Sequence, residues 1–369
     1  MTRHALGHPS DRFDAVARIA VLRGGGIGDL VGALPALAAL RGAYPEASIT
    51  LLGMPSHAAL LDGRPGSPVD ETVVLPAHRG VRDGEPDPDA VEAFLAAMRE
   101  RRFDLAVQAH GGGRNSNPFL LRLGARYTVG TRTEDAVPLT RTLPYRYYQH
   151  EVQRWLEVAG LAGAAPVELE PRLEPSDAER STGRALLGDR PAVVIHPSAT
   201  DPRRRWPAAR FGVVAAALAE HGVTVLVVGD ASDVAVADEI VRAARTALPA
   251  DHRERVRSVA GTIDLGALAG VLAEADVVLA NDSGPRHVAQ ALGTPTVGLF
   301  WFGNAVNAAP FTRAHHRVLL GWTTRCPVCG ADVTQVGWTA ERCPHDPSFL
   351  TDIHPEAVLA EVRALLAGD

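Results

Sequence analysis

Cysteine is scarce here: three in 369 residues cannot build a disulfide framework, which fits a reducing compartment. Aromatic residues are scarce too, at 5% with five Trp and five Tyr, yet the chain is 46% hydrophobic. Its cores must therefore be made from Ala, Val and Leu, as in helices packed on parallel strands. No stretch reaches the roughly 18 uncharged apolar residues a spanning helix needs. The opening Met1-Thr2-Arg3-His4 leads into polar Ser10-Asp11-Arg12 without the apolar region of a secretion signal. These absences predict a cytoplasmic protein with at most peripheral membrane contact. A basic excess is missing as well. With a net charge of −6 no global field draws nucleic acid, and the short run Arg203-Arg204-Arg205 suits one anion rather than a nucleic-acid tract.

What is present is a steady alternation of strand and helix patterns, the signature of βα units around parallel sheets. Apolar runs predict strands at 18–23, 48–53, 72–75, 104–108 and 126–129, then at 192–196, 223–228, 256–260, 276–280 and 295–300. Helical spacing predicts helices at 29–43, with Pro35 as a kink, and at 89–101, 207–221, 232–247, 264–274 and 285–292. The Gly-, Ala- and Pro-rich stretch Gly160 to Pro175 reads as a domain boundary. The length suits two domains of ordinary size. The fold expected is α/β, two Rossmann-like domains facing a cleft, over residues 1–165 and 176–350. Arg79 to Pro88 reads as a mobile surface loop, and Pro355 starts a last helix.

Two strand exits carry chemistry. After Ile19-Ala20-Val21-Leu22 comes Arg23-Gly24-Gly25-Gly26-Ile27-Gly28-Asp29, a side-chain-poor loop that opens a helix. Glycines let backbone N–H groups approach a bulky anion at the positive end of that helix. Asp29 stands at its mouth, as a helix cap or as a reacting carboxylate. The second exit follows Ala275 to Ala280 and reads Asn281-Asp282-Ser283-Gly284-Pro285-Arg286-His287.

With both exits in view, the chain resembles glycosyltransferase family nine, the heptosyltransferase-like enzymes. Arg23, Gly25, Gly28 and Asp29 match that family's first motif, and Asp282, Ser283, Gly284, Pro285 and His287 its late one. Phe103 to Val107 before Gly111, His150-Glu151-Val152, His196-Pro197-Ser198, Arg205-Trp206-Pro207 and Gly293 to Val297 extend the likeness. The resemblance implies a GT-B architecture, with an acceptor-binding first domain and a nucleotide-sugar-binding second domain. It also implies that the final helix, 355–367, packs back across the junction. The reaction implied is inverting glycosyl transfer from a nucleotide diphosphate sugar, an ADP-sugar in the resembled heptosyltransferases, to a glycan or glycolipid hydroxyl.

Such a transfer needs a base for the acceptor hydroxyl and positive groups for the departing diphosphate. Asp29 is the base the resemblance implies, with Arg23, Gly25 and Gly28 shaping the loop on the acceptor side. Arg204 stands where the family usually carries a phosphate-binding lysine; guanidinium keeps the charge and adds bidentate geometry, and Arg203 or Arg205 could substitute. Ser198 adds a hydroxyl, and the amides of Ser283 and Gly284 face the phosphates from a helix start. His287, one turn on, either donates to phosphate or satisfies a buried contact, while Asp282 faces the ribose or caps the loop. An acid of Gly229-Asp230-Ala231-Ser232-Asp233 resembles the family's ribose carboxylate, Asp233 being the one chosen and Asp230 its alternative. No divalent metal is required by this scheme.

Cys326-Pro327-Val328-Cys329-Gly330 with Cys343-Pro344-His345 has the makings of a structural zinc knuckle; incidental thiols or a redox-sensitive pair are the other readings. Two rival functions share the architecture, a nucleotide-sugar 2-epimerase and a degenerate sugar-nucleotide-binding protein. Retention of Asp29 weighs against the second. Trp301-Phe302-Gly303, where the family often reads Gly-Pro-Thr, points to a shifted donor or acceptor preference.

Overall fold

The computed structural model describes residues 9–188, 191–334 and 341–368. The opening Met1-Thr2-Arg3-His4 lies outside them. The chain divides into two bodies, Met1–Leu173 and Glu174–Asp369.

The first body contains β1 (Arg18–Leu22), α1 (Ile27–Ala43), β2 (Ser48–Gly53), α2 (Pro55–Leu61), β3 (Glu71–Val74), α3 (Pro88–Glu100), β4 (Leu105–Gln108), α4 (Ser116–Leu121), β5 (Tyr127–Arg132), β6 (Arg141–Pro144) and α5 (Glu151–Leu161). Its six parallel strands lie in the order β3-β2-β1-β4-β5-β6. This is the doubly wound order, whose switch point falls between β1 and β4. Those central strands are buried on both faces, which is why they read as unbroken apolar runs. Asp87 starts α3 by accepting from the amides of Asp89 and Ala90 at 3.0 and 3.1 Å, with Pro88 in the first turn. Helix α1 is continuous from Ile27 to Ala43 with Pro35 buried inside it.

The second body contains α6 (Asp177–Leu187), β7 (Ala192–His196), α7 (Ala208–Ala219), β8 (Thr224–Val227), α8 (Val234–Ala247), β9 (Val256–Ser258), α9 (Leu265–Glu274), β10 (Val277–Asn281), α10 (Gly284–Ala291), β11 (Thr296–Trp301), α11 (Phe302–Ala308), β12 (His316–Gly321) and α12 (Pro355–Ala367). The sheet order is β12-β11-β10-β7-β8-β9. Counted from β7 this repeats the first body's order, with the switch point between β7 and β10. The core joins Val193, Ile195, Phe211, Val225, Leu279 and Val297 to Val358, Val362 and Leu365 of α12, which packs on α7, β10 and β11 of its own body.

Expected and observed elements differ at their ends by at most three residues, but several elements escaped the sequence reading. β6 and β12 are sheet-edge strands and only partly buried, so they lack the two-sided apolar signal. α6 is largely polar; it docks on α9 through Gly183, on which the backbone of Gly270 lies, so close approach of two glycines replaces a leucine stripe. Arg79 to Pro88, read as a surface loop, is exposed at Arg79, Gly80 and Asp83 to Pro88, but Val81 within it is 2% exposed and belongs to the first body's core. His78 and Arg82 pair across the turn that buries it.

Candidate active site

The switch point of the first body places the loops after β1 and β4 side by side at the carboxyl edge of the sheet. Within four residues the chain turns from β1 into α1. Gly25 holds φ +88° there, and a Cβ on it would stand 2.6 Å from Asp29 Oδ2, so the position admits glycine alone. The Gly26 N–H donates to Asp29 Oδ2 at 2.8 Å, and Arg23 donates to Oδ1 at 3.2 Å. Gly28 is the second residue of α1.

Arg23 is 2% exposed and clamped on all sides. It donates to the Asp29 carbonyl at 2.9 Å, the Ala109 carbonyl at 2.7 Å and Glu151 Oε2 at 3.3 Å, and lies 4.8 Å over the Trp155 ring. Trp155 Nε1 donates to Glu151 Oε2 at 2.8 Å, and Arg154 pairs with the other oxygen. This buried frame orients Asp29, whose own side chain stays 51% exposed. The bonds from Gly26 and Arg23 occupy two of about four lone-pair positions, so the carboxylate retains acceptor capacity toward a substrate.

Two histidines, given no role by sequence, complete the loop's surroundings. His57 of α2 is wholly buried, with Nε2 at 3.4 Å from the Gly26 carbonyl and Nδ1 without a partner. His110 follows β4 and packs with the Val81 carbonyl on the face of Gly24 that a Cβ would occupy. Burial first, then the Arg23 charge, pushes both imidazoles down to about 4; both are neutral at pH 7.

In the second body, Ala280 of β10 pairs in register with His196 of β7, so two loops leave the sheet together. Buried Asn281 ties them: its Nδ2 donates to the Pro197 carbonyl, and its Oδ1 accepts the Trp206 N–H at 3.1 Å. His196 reaches Ser283 Oγ at 2.9 Å through Nδ1 and lies 3.6 Å from Asp233 Oδ2 through Nε2. Burial opposes the charge of Asp233, but hydrogen bonds from His196 and Ser198 outweigh it and hold the carboxyl at about 2. Asp230 is instead exposed and caps the amide of Ser232 at 2.7 Å.

Beside this group, Asp282 is 4% exposed and accepts from Arg204, His287 and Asn304, each at 3.0 Å. Burial again opposes the charge. The His287 bond and the charges of His287, Arg204 and Arg286 prevail and hold Asp282 well below the usual carboxylate range. Arg286, fully buried over the Phe300 ring at 4.9 Å, is pushed down to about 10 by that burial. Of the three consecutive arginines, Arg203 is chelated by Asp201 and Arg205 donates to the Ala199 carbonyl at 2.7 Å. Only Arg204 reaches the mouth of α10. Ser198, Asp233 and Ser283 thus meet around His196, and Arg204 and His287 meet on Asp282, next to the first residue of α10, Gly284.

The sulfurs of Cys326, Cys329 and Cys343 and a ring nitrogen of His345 lie within 4.8 Å of one another. Cys326 opens a turn closed by the Gly330 amide at 2.9 Å, with Gly330 at φ +71°. His345 Nδ1 is buried without a partner. Three thiols and an imidazole nitrogen this close together, with one ring nitrogen left without a partner, are the donor set a tetrahedral Cys3His ion takes, so the residues fit one.

The sequence profile described as Glycosyltransferase family 9 (heptosyltransferase) matches residues 91–329. The chain belongs to that family. It is 26% identical over 366 residues to lipopolysaccharide heptosyltransferase 2 of Escherichia coli (strain K12), which covers 95% of this chain and 98% of that one. Its fold superposes on the glycosyl transferase family 9 from Veillonella parvula DSM 2008 with a TM-score of 0.75 at 20% identity, over 97% and 100% of the two chains. The E. coli ADP-heptose LPS heptosyltransferase II gives 0.73 at 22% identity, over 95% and 98%. The architecture is therefore GT-B and the chain is a glycosyltransferase. Among the described residues, no helix of this family 9 enzyme is long and apolar enough to cross a membrane.

Against the family motifs, His57, His110, Arg286 and Asn304 are the additions the structure makes to the two strand-exit clusters. His110 carried a usable signal, a polar residue just beyond a buried strand like Asn281 and Asp282; His57 and Asn304 carried none.

Proposed function

We propose that this glycosyltransferase moves a heptose-like sugar from a nucleotide diphosphate sugar, an ADP-sugar, to a glycan or glycolipid hydroxyl in lipopolysaccharide assembly, inverting the anomeric carbon without a catalytic metal. The relatives' names support the donor and the pathway. The observation that carries the chemistry is Asp29, half exposed at the start of α1 and fixed from behind by Arg23 and the Gly26 amide.

In this reading Asp29 takes the proton of the acceptor hydroxyl as it attacks in a single displacement. Arg23, Gly25 and Gly28 shape the acceptor-side loop. In the second body Asp233 accepts from the ribose hydroxyls and Ser198 donates to phosphate. Arg204 uses one of its five N–H donors on Asp282 and offers others to the diphosphate, helped by the amides of Ser283 and Gly284. Asp282 and His287 hold Arg204 in that pose. These groups neutralise the leaving diphosphate, the task a divalent ion performs elsewhere. Zinc at Cys326, Cys329, Cys343 and His345 is structural, with no step routed through it. The site of action is the cytoplasm, with membrane contact no more than peripheral.

Asp29→Asn preserves shape and the Gly26 cap but cannot take a proton. Turnover with ADP-heptose should fall about 10²–10⁴-fold while donor affinity stays unchanged; undiminished turnover removes Asp29 from catalysis. Proton NMR of the product should show the inverted anomer, and a retained one sinks the single displacement. Brief EDTA treatment at saturating donor should leave transfer running. Prompt loss restored by magnesium would end the metal-independent scheme.

A further inference from the structure

We infer that the cysteine knuckle positions the diphosphate-binding arginine: an ion held by Cys326, Cys329, Cys343 and His345 fixes the strap 343–349, and that strap fixes the backbone on both sides of Arg204. The Phe349 amide donates to the Arg203 carbonyl at 2.7 Å, and Ser348 Oγ donates to the Arg205 carbonyl at 2.6 Å. These two bonds bracket Arg204. A third tie is ionic, Arg342 lying 3.6 Å from the Asp201 carboxylate that chelates Arg203. A fourth is the Phe349 ring, 5.4 Å under the Arg203 guanidinium.

The knuckle grips the same strap from the other side. Phe349 shares a small buried cluster with Cys326 and Val333, against which Cys343 and Trp301 pack. Cys343 and His345, two of the four ligands, lie a few residues before Ser348 in the chain. Trp301 Nε1 donates to the Thr323 carbonyl at 2.8 Å and Thr323 Oγ1 to the Phe349 carbonyl at 3.2 Å, which joins the knuckle to the end of β11 and the start of α11, whose Asn304 holds Asp282. Among the described residues the strap has no hydrophobic core of its own beyond this cluster, so it depends on its ligands for a single conformation. A loose strap frees the Arg203 and Arg205 carbonyls, and Arg204 then loses its aim.

The inference rests on the assignment of Arg204 to the diphosphate, so the test uses ADP and adenosine as paired probes. Protein purified under reducing conditions should hold about one zinc per chain. Calorimetry is run on the loaded protein, on protein stripped by chelation with the thiols kept reduced, and on stripped protein given zinc again. Stripping should weaken ADP about tenfold or more, the equivalent of one charge-assisted hydrogen bond, leave adenosine affinity unchanged, and reverse with zinc. In Arg204→Ala, stripping should make no further difference to ADP, because the group being positioned is gone. Ser348→Ala cuts one tie with every ligand intact; it should keep its zinc and weaken ADP a fewfold, and it carries the test where stripping unfolds the body.

Absence of any bound ion, or ADP affinity indifferent both to stripping and to Ser348→Ala, overturns the inference. Equal losses for ADP and adenosine overturn it too, as general unfolding. Loaded protein that binds no ADP at all overturns the donor reading itself, and this inference with it.

Discussion

Asp282→Asn keeps the size of the side chain and removes its charge. Asp282 is 4% exposed and receives three donors at 3.0 Å, from Arg204, His287 and Asn304, and the wholly buried Arg286 adds its charge nearby. An amide has one acceptor oxygen in place of two and brings an NH2 into a cluster of donors. Removing one partner of a buried ion pair costs about 3–5 kcal/mol, and a bond kept by the amide oxygen returns about 1 kcal/mol. The expected loss of stability is therefore about 2–4 kcal/mol, measurable as a shifted denaturation midpoint. Its pH dependence is a second check. The folded carboxyl lies below its ordinary value of 3.8, so its contribution is fully present above that value and fades only as pH falls below it. The difference between parent and variant should thus be constant from pH 8 to 5. A variant within about 0.5 kcal/mol of the parent at pH 7, the range of an ordinary surface change, would refute the claim that this carboxylate holds the cluster. A difference that grows as pH falls from 7 to 5 would assign part of the effect to protonated His287, which only the parent's carboxylate pairs.

Arg204→Ala should weaken ADP by about 1.5–3 kcal/mol and leave adenosine alone, since only the former presents charge to the guanidinium; equal calorimetric losses for the two would point to another arginine or a fold defect. Arg204→Lys should restore part of the ADP affinity, charge being kept and bidentate geometry lost. Lowering the pH from 7 to 5 should destabilise the folded chain by about 1–2 kcal/mol for each of His57, His110 and His316. Each is pushed down to about 4 from 6.5, chiefly by burial, so the unfolded chain takes up protons from pH 6.5 downward and the folded one only near 4. Asp233, held at about 2, does not contribute in that window. Equal denaturation free energies at pH 7 and 5 would contradict the burial of these imidazoles.

Sequence by itself determined what depends on neighbours along the chain. Central strands such as β1, β7 and β10 are buried on both faces and therefore read as apolar runs. The Gly26 to Asp29 cap spans three residues, and the Cys326 to Gly330 turn spans four, so both were legible locally. Tertiary structure decided the rest. Of the three consecutive arginines it is Arg204 that lies against Asp282, 78 residues away, and of Asp230 and Asp233 it is Asp233 that the fold buries beside His196. His57 and His110 converge on the glycine loop only because β2 and β4 flank β1, and edge strands or glycine-mediated helix contacts leave no apolar pattern to read. A parallel sheet brings the exits of distant strands to one edge; side chains that meet there share a site without sharing any spacing in the chain.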